Sequence, residues 1–144
     1  MKKLFIMGLA LLMSANLEMA LLATELHTTN EPKTAQTEAP LIGTWKGDSI
    51  CQVKNSPCHD EKAIYKIVKS QEAGKFTIDL GKIVDGQPES MTIVDFTYNA
   101  KAHTLICEQK YGTWELIIKG DKLEGTLTTP DKVIYRRMTL KKET

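Results

Sequence analysis

The feature that most restricts the fold is an alternation of apolar and polar residues that begins at residue 41 and continues to the end of the chain. A period of two is typical of strands that bury one face. Short turn sequences rich in Gly, Asp, Asn and Pro interrupt the alternation. The pattern predicts eight strands, at residues 42–53, 63–69, 75–84, 90–98, 103–108, 113–119, 122–128 and 133–140. We find no helical periodicity of useful length in this region.

Eight short strands joined by hairpins have two free edges that must be hidden. An up-and-down arrangement of eight strands hides them by closing on itself, and its interior either is filled by side chains or holds one small ligand. A two-sheet sandwich is the alternative, but it more often needs longer crossing connections than this sequence has. We therefore expect an all-β fold, an eight-stranded antiparallel up-and-down barrel.

The first 23 residues have the composition of an export signal. Two lysines open the chain, an apolar run follows at residues 4–13, and small residues that suit a cleavage site come next. We expect residues 1–23 to be a signal peptide and the protein to reach the periplasm or the exterior. The alternative is an uncleaved membrane anchor through residues 4–23, although Asn16 and Glu18 interrupt that stretch.

The segment that follows, residues 24–40, is rich in Thr, Glu, Ala and Pro and has almost no large apolar side chains. Such a composition cannot bury enough surface to offset the entropy lost on ordering, so it predicts a flexible linker. The folded domain is then expected at residues 41–144.

The charge of the chain argues against a polyanionic partner. Residues 1–23 hold two of the 19 basic side chains and one of the 18 acidic ones, so the remainder is formally neutral. Neutrality removes the electrostatic driving force for binding nucleic acid or an anionic membrane. We expect no nucleic-acid partner, at most peripheral membrane association after cleavage, and a monomer.

The ends of the domain carry its most distinctive residues. The first strand opens with Gly43, Thr44 and Trp45, and the last contains adjacent arginines, Arg136 and Arg137. Alternation places Arg136 on the inward face, and a bulge in the strand would exchange it for its neighbour.

This G-x-W opening, a ladder of hairpins and an arginine in the final strand resemble the lipocalins, members of the calycin group. Over residues 41–142 the chain is similar to the small exported lipocalin-like domains of bacteria. The resemblance implies that Trp45 packs across the closed end of a barrel and that Arg136 lies over its ring, as a cation–π pair. It implies no catalytic activity.

Three cysteines allow three pairings, and their placement favours one of them. Cys51 and Cys58 flank the first predicted turn, in a protein expected in an oxidising compartment. We predict a disulfide between them, with Cys107 left as a buried thiol that packs as a small apolar residue.

The leading functional hypothesis is that the barrel binds a small apolar or amphipathic molecule. Gly47 and Ser49 would leave room for it on the first strand. The expected lining residues are Tyr65, Ile67, Phe76, Ile78, Trp114, Leu116 and Leu123. In the alternative hypothesis these side chains fill a solid core, and the protein acts through its surface, as an envelope interaction module or an inhibitor of a secreted hydrolase.

No sequence motif indicates an enzyme. Nucleophile-elbow, P-loop and dinucleotide-binding patterns are absent from the sequence. The run Cys58-His59-Asp60-Glu61 contains metal-binding residue types, but adjacent residues point in opposite directions and the short paired spacings of zinc sites are missing. Asp95 is expected on the outer face of its strand. We predict no catalytic residues, no cofactor and no metal site.

Overall fold

The computed structural model describes residue 38 and residues 40–144, and within this range the chain is all-β. Its eight strands are β1 (Gly43–Cys51), β2 (Glu61–Lys69), β3 (Lys75–Val84), β4 (Gln87–Asn99), β5 (Thr104–Gln109), β6 (Gly112–Lys119), β7 (Lys122–Thr128) and β8 (Ile134–Lys142). The predicted signal peptide and most of the predicted linker lie outside the described residues. The described part contains no helix with the length and hydropathy of a transmembrane segment.

Every strand pairs with its neighbours in sequence, and β8 pairs with β1, so the sheet is a closed up-and-down barrel. This confirms the predicted fold class. The start of β1 and the β2–β3, β4–β5 and β6–β7 turns lie at one end, which we call the closed end. The β1–β2, β3–β4, β5–β6 and β7–β8 connections lie at the other end, which we call the mouth.

The inward faces of the strands form one continuous apolar core. Its members are at most 4% exposed and come from all eight strands and from the segment before β1. They are Leu41, Trp45, Ala63, Tyr65, Ile67, Phe76, Ile78, Leu80, Phe96, Leu105, Cys107, Leu116, Leu123, Met138 and Leu140. Alternation of this kind is what a barrel interior requires, because successive side chains on a strand point to opposite faces.

The closed end is sealed by Trp45, whose side chain is 0% exposed. Its indole Nε1 donates a hydrogen bond to the Leu41 carbonyl oxygen at 3.0 Å. The cation beside the indole is Lys142, with Nζ 5.8 Å from the ring centroid, and the same ammonium donates to the Pro40 carbonyl oxygen. The expected stacking of Arg136 on Trp45 is therefore wrong.

The physical reason is the direction of the last strand. Because β8 runs antiparallel to β1, its first residues lie beside the end of β1 and its last residues beside the start. The register pairs Trp45 with Lys142 and Cys51 with Arg136. Arg136 does face inward, as alternation predicted, but it does so at the mouth.

The β4–β5 junction is the weakest in the barrel. β4 has 13 residues, yet only Thr97, Tyr98 and Asn99 pair with β5. On its other side β4 pairs with β3 from Gln87 to Thr97, with a bulge that leaves Met91 without an opposite residue. The mouth half of β4 is thus paired with β3 on one side and has no partner strand on its β5 side among the described residues.

Candidate functional site

The mouth is organised around Arg136, an arginine whose side chain is only 12% exposed. Its Nη1 lies 3.1 Å from Glu61 Oε2 and donates to Ser49 Oγ at 3.0 Å and to the Ser49 carbonyl oxygen at 3.3 Å. Its Nη2 donates to the His59 carbonyl oxygen at 2.9 Å. One guanidinium therefore joins β8, the end of β1 and the start of β2, a geometry that suits the planar fork of arginine.

Glu61 is the negative centre of this arrangement. Besides Arg136, its carboxylate has the Lys82 ammonium at 4.0 Å and the His59 imidazole at 3.7 Å. Its side chain is 15% exposed. A largely buried carboxylate in this position requires a paired cation, because an isolated charge would lose most of its hydration.

The loop from residue 52 to residue 60 is fixed over the mouth from both sides. The Cys51–Cys58 disulfide, with a Cα–Cα distance of 5.9 Å, closes it and confirms the predicted pairing. Asp60 Oδ1 accepts a hydrogen bond from the backbone N–H of Cys51 at 2.9 Å. With His59 held by Arg136, this loop is positioned by contacts at each end and does not depend on apolar burial.

Next to Arg136 lies a cavity of about 250 Å³. Two aromatic rings face it, Tyr65 and Trp114, which meet edge to face with centroids 6.4 Å apart. Its lining is mostly apolar, with a polar group on one side. The lining residues are Ser49, Glu61, Ala63, Tyr65, Leu80, Gly81, Met91, Thr92, Trp114, Leu127 and Arg136.

The electrostatic state of the cavity follows from burial. Tyr65 is 1% exposed, and burial raises the pKa of its phenol well above the ordinary value, an effect that the nearby Arg136 opposes and Glu61 reinforces. The phenol is therefore neutral at any physiological pH. Since Arg136 and Glu61 form an ion pair, the site offers hydrogen-bonding groups and little net charge.

Of the seven predicted lining residues, two line this cavity, Tyr65 and Trp114. The other five are fully buried and pack against one another toward the closed end: Ile67, Phe76, Ile78, Leu116 and Leu123. Among the described residues, side chains fill the interior toward the closed end, and a cavity opens near the mouth. Five of the seven predicted lining residues therefore belong to the filled core.

Gly47 plays a different part from the one expected. A Cβ at this position would lie 2.1 Å from the Thr139 carbonyl oxygen and 2.8 Å from Leu140 Cα. The backbone of β8 occupies the space that a side chain at Gly47 would fill, so this space holds no ligand. Ser49, by contrast, lies beside the cavity and binds Arg136.

The residue that sequence reasoning missed is Glu61. The signal was present in the alternation of β2, since Glu61 shares its inward face with Ala63, Tyr65 and Ile67. Extending the predicted strand by two residues would have put this carboxylate on the same inward side of the barrel wall as Arg136. The antiparallel direction of β8 is what brings the two to the same end.

Other candidate groups have structural roles. Cys107 is a buried free thiol, as predicted, and the Gln109 amide donates to its sulfur at 3.3 Å. Asp95 lies on the outer face, as predicted, where it accepts a hydrogen bond from Thr77 Oγ1 at 2.6 Å. Over residue 38 and residues 40–144, no group of three or more His, Cys, Asp or Glu side chains could hold a metal ion.

Comparison with known proteins gives no family and no function for the chain. No protein-family model matches the chain, and no curated protein matches it. The closed eight-stranded barrel is consistent with the lipocalin-like fold that the sequence resembles.

Proposed function

We propose that this is an exported binding protein that holds one small amphipathic molecule in the cavity at the mouth. The observation that carries the proposal is the cavity of about 250 Å³ between the Tyr65 and Trp114 rings and the Arg136–Glu61 pair. Binding sites for small molecules are concave and mostly apolar, with a few polar groups that fix orientation. Export is supported by the Cys51–Cys58 disulfide, since such bonds are typical of oxidising compartments.

The dimensions of the cavity limit the ligand. Pockets for drug-sized molecules measure about 300–1,000 Å³, and this cavity is smaller. The solid core below it closes off the rest of the barrel, so an extended acyl chain has no space. The ligand that fits is a compact molecule, with an apolar or aromatic body against Tyr65, Trp114 and Leu80.

The polar side of the cavity restricts the charge of the ligand's polar group. Arg136 and Glu61 compensate one another, so a second full charge would have to compete with an existing ion pair. Hydroxyl or amide groups can instead bond to Ser49 and to the open sides of the pair. We therefore expect a ligand whose polar group is uncharged.

Native mass spectrometry of protein purified from its own host tests both parts of this proposal. The intact mass reports whether the N-terminal segment has been removed, and the native mass reports a bound molecule. We expect a cleaved chain that carries one small additional mass. An unmodified full-length mass with no added component, and a co-purifying protein in its place, would contradict the proposal.

The position of the ligand can be read from the two tryptophans. Trp114 lines the cavity, whereas Trp45 seals the opposite end. The compound found by mass spectrometry, added back to ligand-free protein, should shift the indole N–H resonance of Trp114 and leave that of Trp45 in place. The Trp114→Phe variant assigns the resonance. A shift confined to Trp45 would rule out the mouth as the site.

A further inference from the structure

The mouth half of β4 is a strand edge without a partner among the described residues. β4 pairs with β5 at three positions only, Thr97 with Ile106, Tyr98 with Leu105 and Asn99 with Thr104. In an antiparallel strand, alternate residues direct their N–H and C=O groups to each side. From Thr92 to Phe96, on the closed-end side of the bulge at Met91, alternate residues therefore offer these groups at a free edge, which is the template for pairing with another chain.

The charges on the outer face explain why the β4–β5 ladder stops. Continuing the register by two residues beyond Thr97 and Ile106 would place Asp95 opposite Glu108. Like charges directly opposite one another destabilise a strand pair. Both carboxylates instead face a groove of about 430 Å³, lined also by Lys75, whose ammonium is engaged by Glu72 at 2.5 Å.

The part of this edge next to Asp95 is uncharged. Residues 90–94 carry no charge, and Ile93 is 62% exposed on the outer face. Across the groove, Ile106 on β5 is 38% exposed. Pro88 and the bulge at Met91 protect the part of the edge nearest the mouth, whereas residues 92–94 have neither a charge nor a proline and leave the edge open to pairing.

We propose that the free edge of β4 binds an extended segment of another protein, which adds to the barrel wall as a strand. The segment carries a basic side chain at the position facing Asp95 and Glu108, and an apolar side chain two residues along that packs on Ile93. Backbone hydrogen bonds provide the pairing and the alternate side chains provide selectivity, as in other cases of strand addition. This function does not require a ligand in the cavity at the mouth, and Thr92 belongs both to the edge and to the lining of that cavity.

A second copy of this edge is a poor partner, because residues 87–96 contain no basic side chain that could lie opposite Asp95 and Glu108. Two β4 edges paired antiparallel about Thr92, the centre of the uncharged run, would place Asp95 of each copy opposite Glu89 of the other. Both carboxylate pairs would be repulsive, and Asp95 would still face Glu108. A segment with a basic residue removes this repulsion, so the complementary partner is a different chain.

Two labelled peptides test the proposal on the full-length protein. The first is a blocked seven-residue peptide of alternating threonine and valine with arginine in place of the central valine, and the second has glutamate at that position. Fluorescence anisotropy at low salt should show at least about tenfold tighter binding of the arginine peptide, which corresponds to about 1.4 kcal/mol. Hydrogen exchange should locate the new protection within residues 92–96, at the N–H groups of Ile93 and Asp95.

Charge-removing variants identify the groups responsible. The double variant Asp95→Asn with Glu108→Gln should remove most of the difference in affinity between the two peptides. The control variant Asp48→Asn with Glu115→Gln removes two carboxylates from the outer faces of β1 and β6 and should preserve it.

Three outcomes would overturn the proposal. The first is that neither peptide binds, and the second is that both bind equally well. The third is that the protein dimerises more strongly once Asp95 and Glu108 are neutralised, which would identify a second copy as the occupant of the edge.

Discussion

The indole N–H of Trp45 donates a hydrogen bond at 3.0 Å to the carbonyl oxygen of Leu41, which precedes β1. Both side chains are at most 1% exposed and close the end of the barrel. The ring thus fills the closed end and satisfies a buried acceptor at once. A backbone carbonyl left unpaired in such a position would cost free energy comparable to a lost hydrogen bond.

The first prediction follows from this relationship. Trp45→Ala should lower the free energy of unfolding by about 3–5 kcal/mol, because the cavity it leaves cannot be filled by neighbours on separate strands. Trp45→Phe should cost less, since it retains most of the burial and loses the N–H donor. Urea unfolding monitored by circular dichroism measures both. The control is Trp114→Ala, at a half-buried position. If Trp45→Ala were no less stable than this control, Trp45 would not be the residue that seals the closed end.

The second prediction concerns the ion pair at the mouth. Arg136→Met should destabilise the protein by about 1.5–3 kcal/mol, because Glu61 loses its strongest hydrogen-bonding partner while remaining largely buried. Glu61→Gln should cost less. The double variant, Arg136→Met with Glu61→Gln, should lose less free energy of unfolding than the two single variants lose together. The difference measures the coupling of the two side chains. Strictly additive losses would mean that the two charges act independently.

The third prediction concerns the disulfide. Replacing both Cys51 and Cys58 by Ser should lower stability by about 2–3 kcal/mol, as expected from the loss of a short closed loop in the unfolded state. Thiol titration of the denatured, unreduced protein should find one reactive group, Cys107, and three after reduction. The Cys107→Ser variant is the control and should show no thiol before reduction. Three thiols in unreduced, air-exposed protein would contradict the bridge.

The fourth prediction is a pH dependence. Burial raises the pKa of Tyr65 in the folded protein above its value of about 10 in the unfolded chain. The folded state therefore keeps the phenol proton while the unfolded state loses it, so this contribution to stability is complete below pH of about 10 and decreases above it.

Urea unfolding at a series of pH values from neutral to alkaline tests this. The stability of the native sequence should fall more steeply above pH of about 10 than that of Tyr65→Phe, by at most about 1.4 kcal/mol per pH unit. Phenolate absorbance should show one tyrosine that ionises only as the protein unfolds. Identical pH profiles for the two proteins would show that the Tyr65 phenol is accessible to hydroxide.

Local alternation and turn residues were sufficient to predict the number of strands, their order and the inward face of most of them. Alternation also placed Asp95 outside and Arg136 inside correctly. These features depend on neighbours within a few residues, which is why they can be derived from one sequence. The predicted start of β4 was three residues too late, because Gln87 and Pro88 suggest a turn but pair with β3.

What local patterns do not contain is the position of each side chain along the barrel axis. The prediction that Arg136 stacks on Trp45 was wrong because Arg136 lies at the opposite end of β8 from the residue beside Trp45. The prediction of a cavity along the whole barrel was wrong because the opposite walls pack tightly toward the closed end. The close approach of β8 at Gly47 and the bulge at Met91 are set by pairing between distant segments. Both determine where the interior is open.

The three-residue ladder between β4 and β5 also divides the molecule mechanically. It separates two four-stranded meanders, β1–β4 and β5–β8, which are otherwise joined through seven residue pairs between β1 and β8. Breaking the shorter junction requires the fewest hydrogen bonds, so the barrel is expected to open there in its lowest-energy partial unfolding. The β1–β8 ladder would then act as the hinge, and Phe96 and Leu105, beside the junction, would be the first core residues to meet water.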